Sequence, residues 1–192
     1  MADITSDAGT SPHVSRPGAD EPARGTSQPA CRDAIPDADL LACVELLFFA
    51  YRDFTRGADA VLEEYGFGRA HHRVLHFVHR NPGMRVADLL DILKITKQSL
   101  ARVLKQLIDK GFIMQRAGND DRRERRLFVT AKGSRLAEKL TTQQSRHIES
   151  ALLSAGPGAA EFARRFLFAM ITESDRPRVE ALVKLASGMR AR

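Results

Sequence analysis

The stretch ITKQSLARVLKQLIDKGFIMQRAGNDDRRERRLFVTAKG, residues 95–133, changes its pattern twice. Its first part has apolar residues at helical spacing, namely Leu100, Val103, Leu104, Leu107 and Ile108. Thr96 is suited to cap the start of this helix, and Gly111 is suited to end it. Its second part holds two short runs, FIMQR and RRLFV, around a charged loop, which predicts a β-hairpin.

The predicted helix has two chemically different faces. The face opposite the apolar positions carries hydrogen-bond donors and cations, which are Lys97, Gln98, Ser99, Arg102 and Lys105. The DNA major groove admits one α-helix, and side chains near the start of that helix reach the base edges. Gln pairs with adenine and Arg with guanine, so Gln98 and Arg102 are candidates for base contacts. We expect Lys94, Lys105 and Lys110 to contact phosphates, which position a helix without reading sequence.

The segments around this helix complete a known arrangement. A short helix, ADLLDILK, comes before this helix and is joined to it by a very short turn. The hairpin with a basic tip comes after it. This order describes a winged helix-turn-helix. The tip contains seven consecutive charged residues, 120–126, and would reach the neighbouring minor groove, whose negative potential attracts arginine. The alternative is that the charged tip is simply solvated.

The distribution of charge favours an anionic partner. The chain of 192 residues has a net charge of +6, and 43% of its residues are hydrophobic, enough for a core. Residues 94–135 hold twelve Lys or Arg and four Asp or Glu, a net charge of +8, so the remainder carries −2. A basic tract within an otherwise slightly acidic protein is typical of a surface that contacts phosphates.

The rest of the chain predicts a mainly α fold with a small β-hairpin. Residues 1–35 have almost no large apolar side chains, so we expect them to be disordered. Residues 36–68 predict a helix too long to be buried within its own domain, and a partner subunit is the simplest cover. Residues 69–133 form the predicted DNA-binding lobe, with a helix over 69–80 and a short strand at 84–86. Residues 134–192 continue the long helix that begins near Ala131, followed by helices over 159–173 and, after Pro177, 178–187.

Residues 94–133 resemble the MarR family of bacterial transcriptional regulators. The matching signature is DRR, residues 121–123, followed after a short strand by Thr130-Ala131-Lys132-Gly133. The resemblance extends over roughly 37–175, and HHR…RNPG…LLDILKITKQSL is most similar to the branch that contains the PetP-type regulators. It implies a homodimer that binds double-stranded DNA at a pseudo-palindromic operator, usually as a repressor. It also implies a small, often phenolic or otherwise aromatic ligand in the cleft between the dimerisation helices and the DNA-binding lobe.

The resemblance also assigns roles to individual residues. Thr96 to Arg102 fall on the recognition helix of the family. Asp121 and Arg123 fall on the wing, where the aspartate of the family holds an arginine that enters the minor groove. Arg122, Arg125 and Arg126 would lie near the phosphates. The long helix before the lobe and the segments after Thr130 fall on the intertwined dimer interface. The N-terminal extension and the extra charges at Asp120 and Glu124 depart from the family pattern.

Two other groups of residues are candidates for sensing. His72, His76 and His79 lie at i, i+4 and i+7, on one stripe of a helix, and His pairs at this spacing can ligate zinc. Alternatively, they line a dimer cleft or pair with acidic residues. Cys43 lies near the cysteine of the peroxide-sensing members of the family but one residue out of register, which rotates it by about 100°. A buried, unreactive cysteine is the alternative.

The sequence does not favour an enzyme. It has no glycine-rich phosphate loop, no GxSxG and no HExxH, and arginines next to the acidic residues of the charged run make them poor general acids. We therefore expect no cofactor. With no apolar run of the roughly 18 residues that a membrane span needs and no signal sequence, we expect a cytoplasmic protein. A rival of another class is a winged helix whose basic face binds an acidic protein.

Overall fold

The computed structural model describes residues 35–118 and 124–188, with side chains as far as Val183. The chain is divided between Leu40 and Leu41 into two units, Met1–Leu40 and Leu41–Arg192. The first is described only from Ile35, so the predicted disorder of residues 1–35 concerns a segment that lies almost entirely outside the described residues.

Helices make up most of the described chain. The predicted DNA-binding lobe and the helix before it contain α1 (Asp37–Glu63), α2 (Arg69–Arg80), β1 (Met84–Arg85), α3 (Val86–Leu93), α4 (Lys97–Asp109), β2 (Ile113–Ala117) and β3 (Arg125–Val129). The C-terminal part contains α5 (Ala131–Ala155), α6 (Ala159–Ala169), a 3₁₀ helix (Glu173–Asp175) and α7 (Arg176–Gly188). None of the described helices is long and apolar enough to cross a membrane.

The strands form one small antiparallel sheet in the order β1-β3-β2. The predicted hairpin is β2 and β3, with Gln115 opposite Leu127, and β1 pairs with the other edge of β3, with Met84 opposite Leu127. The mainly α fold with a small hairpin is confirmed. The predicted strand at 84–86 is shorter by one residue, because Val86 already begins α3.

The core lies inside the lobe and under the first half of α5. Its fully buried large side chains include Leu62, Leu75, Leu89, Leu100, Leu107, Ile113, Leu127 and Leu140, which come from every helix from α1 to α5 and from two strands, together with Phe112 just before β2. In α1 only Thr55, Ala58 and Leu62 are buried, all of them in its C-terminal half. The lobe therefore has its own hydrophobic core, to which α1 contributes side chains from its C-terminal half only.

The remaining helical surface is strongly apolar and exposed. In α1 the exposed apolar side chains are Leu40, Leu41, Val44, Leu46, Leu47, Phe48, Phe49 and Tyr51. Helix α6, which the structure describes in full, buries none of its side chains and exposes Phe162, Phe166, Leu167 and Phe168. Contiguous apolar surface of this extent marks an interaction site.

Two predicted helix boundaries are wrong. Helix α6 ends at Ala169, not near residue 173, because the chain turns at Met170 and continues as the 3₁₀ helix. Helix α7 begins at Arg176, so Pro177 lies inside its first turn instead of before it. Proline is tolerated there because the first N–H groups of a helix have no acceptor within the helix.

Candidate nucleic-acid interface

The helix-turn-helix consists of α3 and α4, joined by a turn of three residues, 94–96. Lys94 has a left-handed backbone with φ of 51°, which reverses the chain after α3. The Thr96 hydroxyl then accepts a hydrogen bond from the backbone N–H of Ser99 at 3.1 Å. The predicted N-cap is thus confirmed, and it fixes where the recognition helix begins.

Helix α4 separates its two faces as its pattern predicts. Leu100, Val103, Leu104 and Leu107 are buried. The predicted DNA-contacting side chains at positions 97, 98, 99, 102 and 105 are all exposed, as is Thr96. One face therefore anchors the helix to the lobe, and the other presents hydrogen-bond donors to solvent.

Each of the three predicted phosphate-binding lysines has a partner within the chain. Lys105 Nζ lies 2.6 Å from Asp109 Oδ2, and Lys94 Nζ lies 3.1 Å from Asp175 Oδ1. Lys110 donates a hydrogen bond to the carbonyl oxygen of Tyr65 and lies over the Phe67 ring. The sequence pattern does not reveal the partners of Lys94 and Lys110, since both are distant along the chain.

Most of the predicted wing contacts lie outside the described residues, namely Asp121, Arg122 and Arg123. Arg125 is described; it begins β3 opposite Ala117 and its side chain is exposed. The wing closes below its tip, where the Gly118 N–H donates to the Glu124 carbonyl oxygen at 2.9 Å. The described strands therefore fix the base of the wing.

Three arginines lie side by side at that base. Arg126 on β3 is in register with Arg85 on β1 and with Arg116 on β2. Like charges directly opposite each other in a sheet are destabilising. Glu124 offsets this repulsion, because its carboxylate lies 2.8 Å from Arg126 Nε, in an ion pair rather than an aligned hydrogen bond, and 4.0 Å from Arg85 Nη1.

Asp88 binds Arg85, the arginine on the edge strand β1. Arg85 donates to Asp88 through Nη2 at 2.8 Å and through Nε at 3.1 Å. These hydrogen bonds lower the pKa of the Asp88 carboxyl, although partial burial opposes the change. Glu124, which departs from the family pattern, and Asp88 thus keep the base of the wing ordered.

The Thr-Ala-Lys-Gly signature joins the wing to α5. The Thr130 hydroxyl donates to the Gly111 carbonyl oxygen at 2.7 Å and accepts from the Gly133 N–H at 3.1 Å. Lys132 Nζ donates to the Lys110 carbonyl oxygen at 3.0 Å and lies over the Phe112 ring. The four residues therefore fasten the end of the recognition helix to the start of α5.

Helix α2 contacts α4 through His71, and no sequence pattern predicts this contact. His71 Nδ1 accepts from the Gly68 N–H at 3.1 Å, so the proton of the neutral ring is on Nε2, which faces the amide oxygen of Gln106 in α4. The ring also stacks on Phe67 at 4.7 Å. Near the other end of α4, Arg73 donates to the Leu93 carbonyl oxygen at 2.9 Å.

The three histidines of the stripe on α2, His72, His76 and His79, are half-buried. Burial lowers the pKa of His76 to about 4, with smaller contributions from the neighbouring His72, Arg80 and His79, and burial also lowers the pKa of His72. His79 Nδ1 lies 3.4 Å from the Ser134 hydroxyl. Over the described part of the chain, no three His, Cys, Asp or Glu side chains are arranged to hold a metal ion. Cys43 is exposed, contrary to the buried alternative.

His76 opens into a cleft of about 760 Å³ beside α5. Phe54 of α1 and the 141–153 region of α5 form its other walls, and the loop at Gly156–Gly158 lies at one end. The lining residues include Thr141, Gln144, Ser145, Ile148 and Leu152. The cleft therefore combines an apolar floor with a few hydrogen-bonding groups and lies between the lobe and the long helices.

Comparison with known proteins identifies relatives over most of the chain. The family model described as MarR family matches residues 65–124, from the end of α1 to the wing. The HTH-type transcriptional regulator PetP of Rhodobacter capsulatus is 42% identical over 148 residues, which are 77% of this chain and 89% of that protein. The PetP-type resemblance is thus confirmed.

Solved structures share the fold. The crystal structure of MarR is 25% identical with a TM-score of 0.56, covering 78% of this chain and 97% of that one. The transcriptional regulator SlyA is 17% identical with a TM-score of 0.58, covering 74% and 96%. The chain belongs to the MarR family of winged helix-turn-helix transcriptional regulators.

Proposed function

We propose that the protein is a homodimeric repressor that binds a pseudo-palindromic DNA sequence and is released by a small ligand. The observation that carries this proposal is the division of α4, whose Leu100, Leu104 and Leu107 are buried while its donor-bearing face is exposed. A helix fixed in this way can enter the major groove without rearranging its lobe.

The residues of α4 divide between base contacts and phosphate contacts. Gln98 and Arg102 read base edges, whereas Thr96, Lys97 and Ser99 contact the DNA around the start of the helix. Lys105 contacts a phosphate. Its pair with Asp109 does not prevent this, because the Lys105 side chain is 75% exposed and such an i,i+4 pair contributes only about 0.3–0.5 kcal/mol.

The wing supplies the second set of contacts. Asp121 orients Arg123 in the minor groove, and Arg122 and Arg125 contact phosphates beside it. The exposed side chain of Arg125 and the ordered base of the wing support this arrangement.

The uncovered apolar faces of α1 and α6 support the homodimer. Phe48 and Phe49 of α1 are 69% and 56% exposed, and Phe162 of α6 is 72% exposed. A symmetric pair of chains would cover both helices with the same surfaces of the partner. The two α4 helices would then read half-sites about one helical turn apart.

The cleft at His76 supports control by a small aromatic or phenolic ligand. It lies where α2 of the lobe meets α1 and α5, so a ligand there would contact both parts of the subunit. A ligand that binds more tightly to a dimer with wrongly spaced recognition helices shifts the population toward that state and weakens DNA binding.

Selection from a pool of random duplexes by the full-length protein tests this proposal. We expect a two-fold symmetric consensus and a steep fall of log affinity with log salt concentration, because several phosphates are neutralised. A winged helix that binds an acidic protein would select no consensus and would not bind duplex DNA even at low salt. A reporter behind the selected sequence then distinguishes repression from activation.

A further inference from the structure

The 3₁₀ helix after α6 and the first half of α7 contact the helix-turn-helix of their own chain. We call residues 172–182 the C-terminal strap. Asp175 Oδ1 lies 3.1 Å from Lys94 Nζ. Arg178 Nη2 donates to the Asp88 carbonyl oxygen and to Asp91 Oδ2, both at 3.2 Å. The strap therefore touches α3 at two points and the turn before the recognition helix at a third.

The strap is itself held in shape by local hydrogen bonds. Thr172 donates to Asp175 Oδ2 at 3.2 Å, so the carboxylate that meets Lys94 is fixed from both sides. Arg176 donates to the carbonyl oxygens of Ile171 and Ala169, each at 3.0 Å, which ties the strap to the end of α6. At its other end, Leu182 packs against the core of the lobe.

Lys94 has an unusual backbone conformation. Within residues 35–118 and 124–188 it is the one non-glycine residue with a positive φ. This conformation is unfavourable in a residue with a Cβ and persists where surrounding contacts impose it. Because Thr96, the cap of α4, lies only two residues later, the conformation of Lys94 sets the direction in which the recognition helix leaves the turn.

We propose that Asp175 and Arg178 are positioning residues for DNA recognition. The strap fixes the turn through Lys94 and fixes α3 through Asp88 and Asp91, and thereby transmits the position of α6 to α4. This inference rests on the proposed function, since it assumes that α4 reads DNA. The strap would align the recognition helix within one subunit, whereas the apolar surface of α6 would contact the partner subunit.

The expected effects are modest, because the contacts are partly exposed. The side chain of Lys94 is 63% exposed and that of Asp175 is 33% exposed. Exposed ion pairs contribute little to overall stability, so we expect Asp175→Asn to leave the unfolding transition almost unchanged. We expect a two- to fivefold loss of affinity for the selected duplex from Asp175→Asn and about a tenfold loss from Asp175→Asn with Arg178→Gln.

Fluorescence anisotropy with two duplexes tests the proposal. One duplex carries the sequence selected by the unchanged protein, and the other is a random sequence of equal length. A positioning role predicts that the double variant loses affinity for the selected duplex but not for the random one. Glu173→Gln is the matched control, since it removes an exposed carboxylate from the same 3₁₀ helix and should change neither affinity.

Reversal of the ion pair provides a second test. Lys94→Glu alone should weaken binding to the selected duplex, and Lys94→Glu with Asp175→Lys should restore at least half of the lost affinity. If Lys94 instead contacts a phosphate that Asp175 masks, Asp175→Asn would tighten binding to both duplexes, and the reversed pair would not restore it. Either result, or unchanged binding by the double variant, would overturn the proposal.

Hydrogen exchange tests, in the absence of DNA, whether the strap stabilises the turn and the start of α4. We expect the backbone amides of residues 95–100 to exchange several-fold faster in the double variant than in the unchanged protein or in Glu173→Gln. Equal exchange rates in the double variant and the unchanged protein would contradict the proposed role of the strap, even if DNA binding is confirmed. Faster exchange in a protein that selects no duplex would support the strap as a structural link while overturning the proposed function.

Discussion

A Cβ atom on Gly133 would overlap the carbonyl oxygen of Phe112 and would lie 3.0 Å from the carbon of the same carbonyl group. The obstacle is backbone, which cannot move aside as a flexible side chain can. That carbonyl oxygen also accepts the Thr130 N–H at 3.0 Å. The glycine of the signature is therefore required where α5 crosses the end of the recognition helix.

Gly133→Ala should destabilise the fold by roughly 1–3 kcal/mol or more, because the added methyl group overpacks a buried junction. Urea unfolding of the purified protein measures the change. Gly68→Ala is the matched control, since at Gly68 the described residues leave at least 4 Å around the added Cβ and φ is negative. Equal destabilisation by the two variants would contradict the close approach at Gly133.

Thr96→Ala should cost about 1 kcal/mol of stability through loss of the N-cap of α4. Thr96→Ser keeps the hydroxyl oxygen that accepts from Ser99 and should retain most of that stability. Comparison of the two variants by thermal unfolding isolates the cap, since both remove the methyl group. The cap interpretation fails if serine is as destabilising as alanine.

Gln98→Ala and Arg102→Ala should relax sequence preference at particular positions of the selected duplex, at a cost of about 1–3 kcal/mol for the correct base. Lys105→Ala should instead weaken binding to all duplexes alike and lower the salt slope by about one. Affinities for a panel of single-base variants of the selected duplex separate the two patterns. Uniform weakening by all three substitutions would show that α4 does not read bases.

Stability should fall at acidic pH partly because of His76. The pKa of His76 is about 4 in the folded protein, whereas its ordinary value, which applies to the unfolded chain, is 6.5. Between pH 4 and 6.5 the unfolded chain therefore binds more protons than the folded protein. The contribution of His76 is therefore fully present above pH 6.5 and is lost as the pH falls toward 4. His76→Gln should flatten this part of the stability profile, measured by urea unfolding at a series of pH values. An unchanged slope would contradict the half-buried position of His76 in the structure.

The lobe follows from the sequence because its patterns are local. The heptad-like spacing from Leu100 to Ile108, the cap at Thr96 and the alternation around the charged loop depend on residues a few positions apart. These patterns predict where α4 begins and which of its faces is buried. The helical spacing of the apolar residues in α1 is equally clear in the sequence. Their exposure in the single chain agrees with the expectation that something beyond the lobe covers them.

The contacts that fix the interface could not be predicted in the same way. The pairs Lys94–Asp175 and His71–Gln106 join residues far apart in sequence, and one sequence gives no distance between them. Glu124 shows another limit, since an acidic residue among arginines suggested only extra charge. The strand register places Arg85, Arg126 and Arg116 side by side, and only this register shows that Glu124 offsets the repulsion among them.

Hydroxyl-radical footprinting on the selected duplex tests the central claim most directly. A homodimer that places one α4 helix in each major groove should protect two equal patches, related by two-fold symmetry and centred about one helical turn apart. Gln98→Ala with Arg102→Ala should abolish both patches together at a protein concentration that saturates the unchanged protein. A single asymmetric patch, or protection that survives this double substitution, would contradict the account.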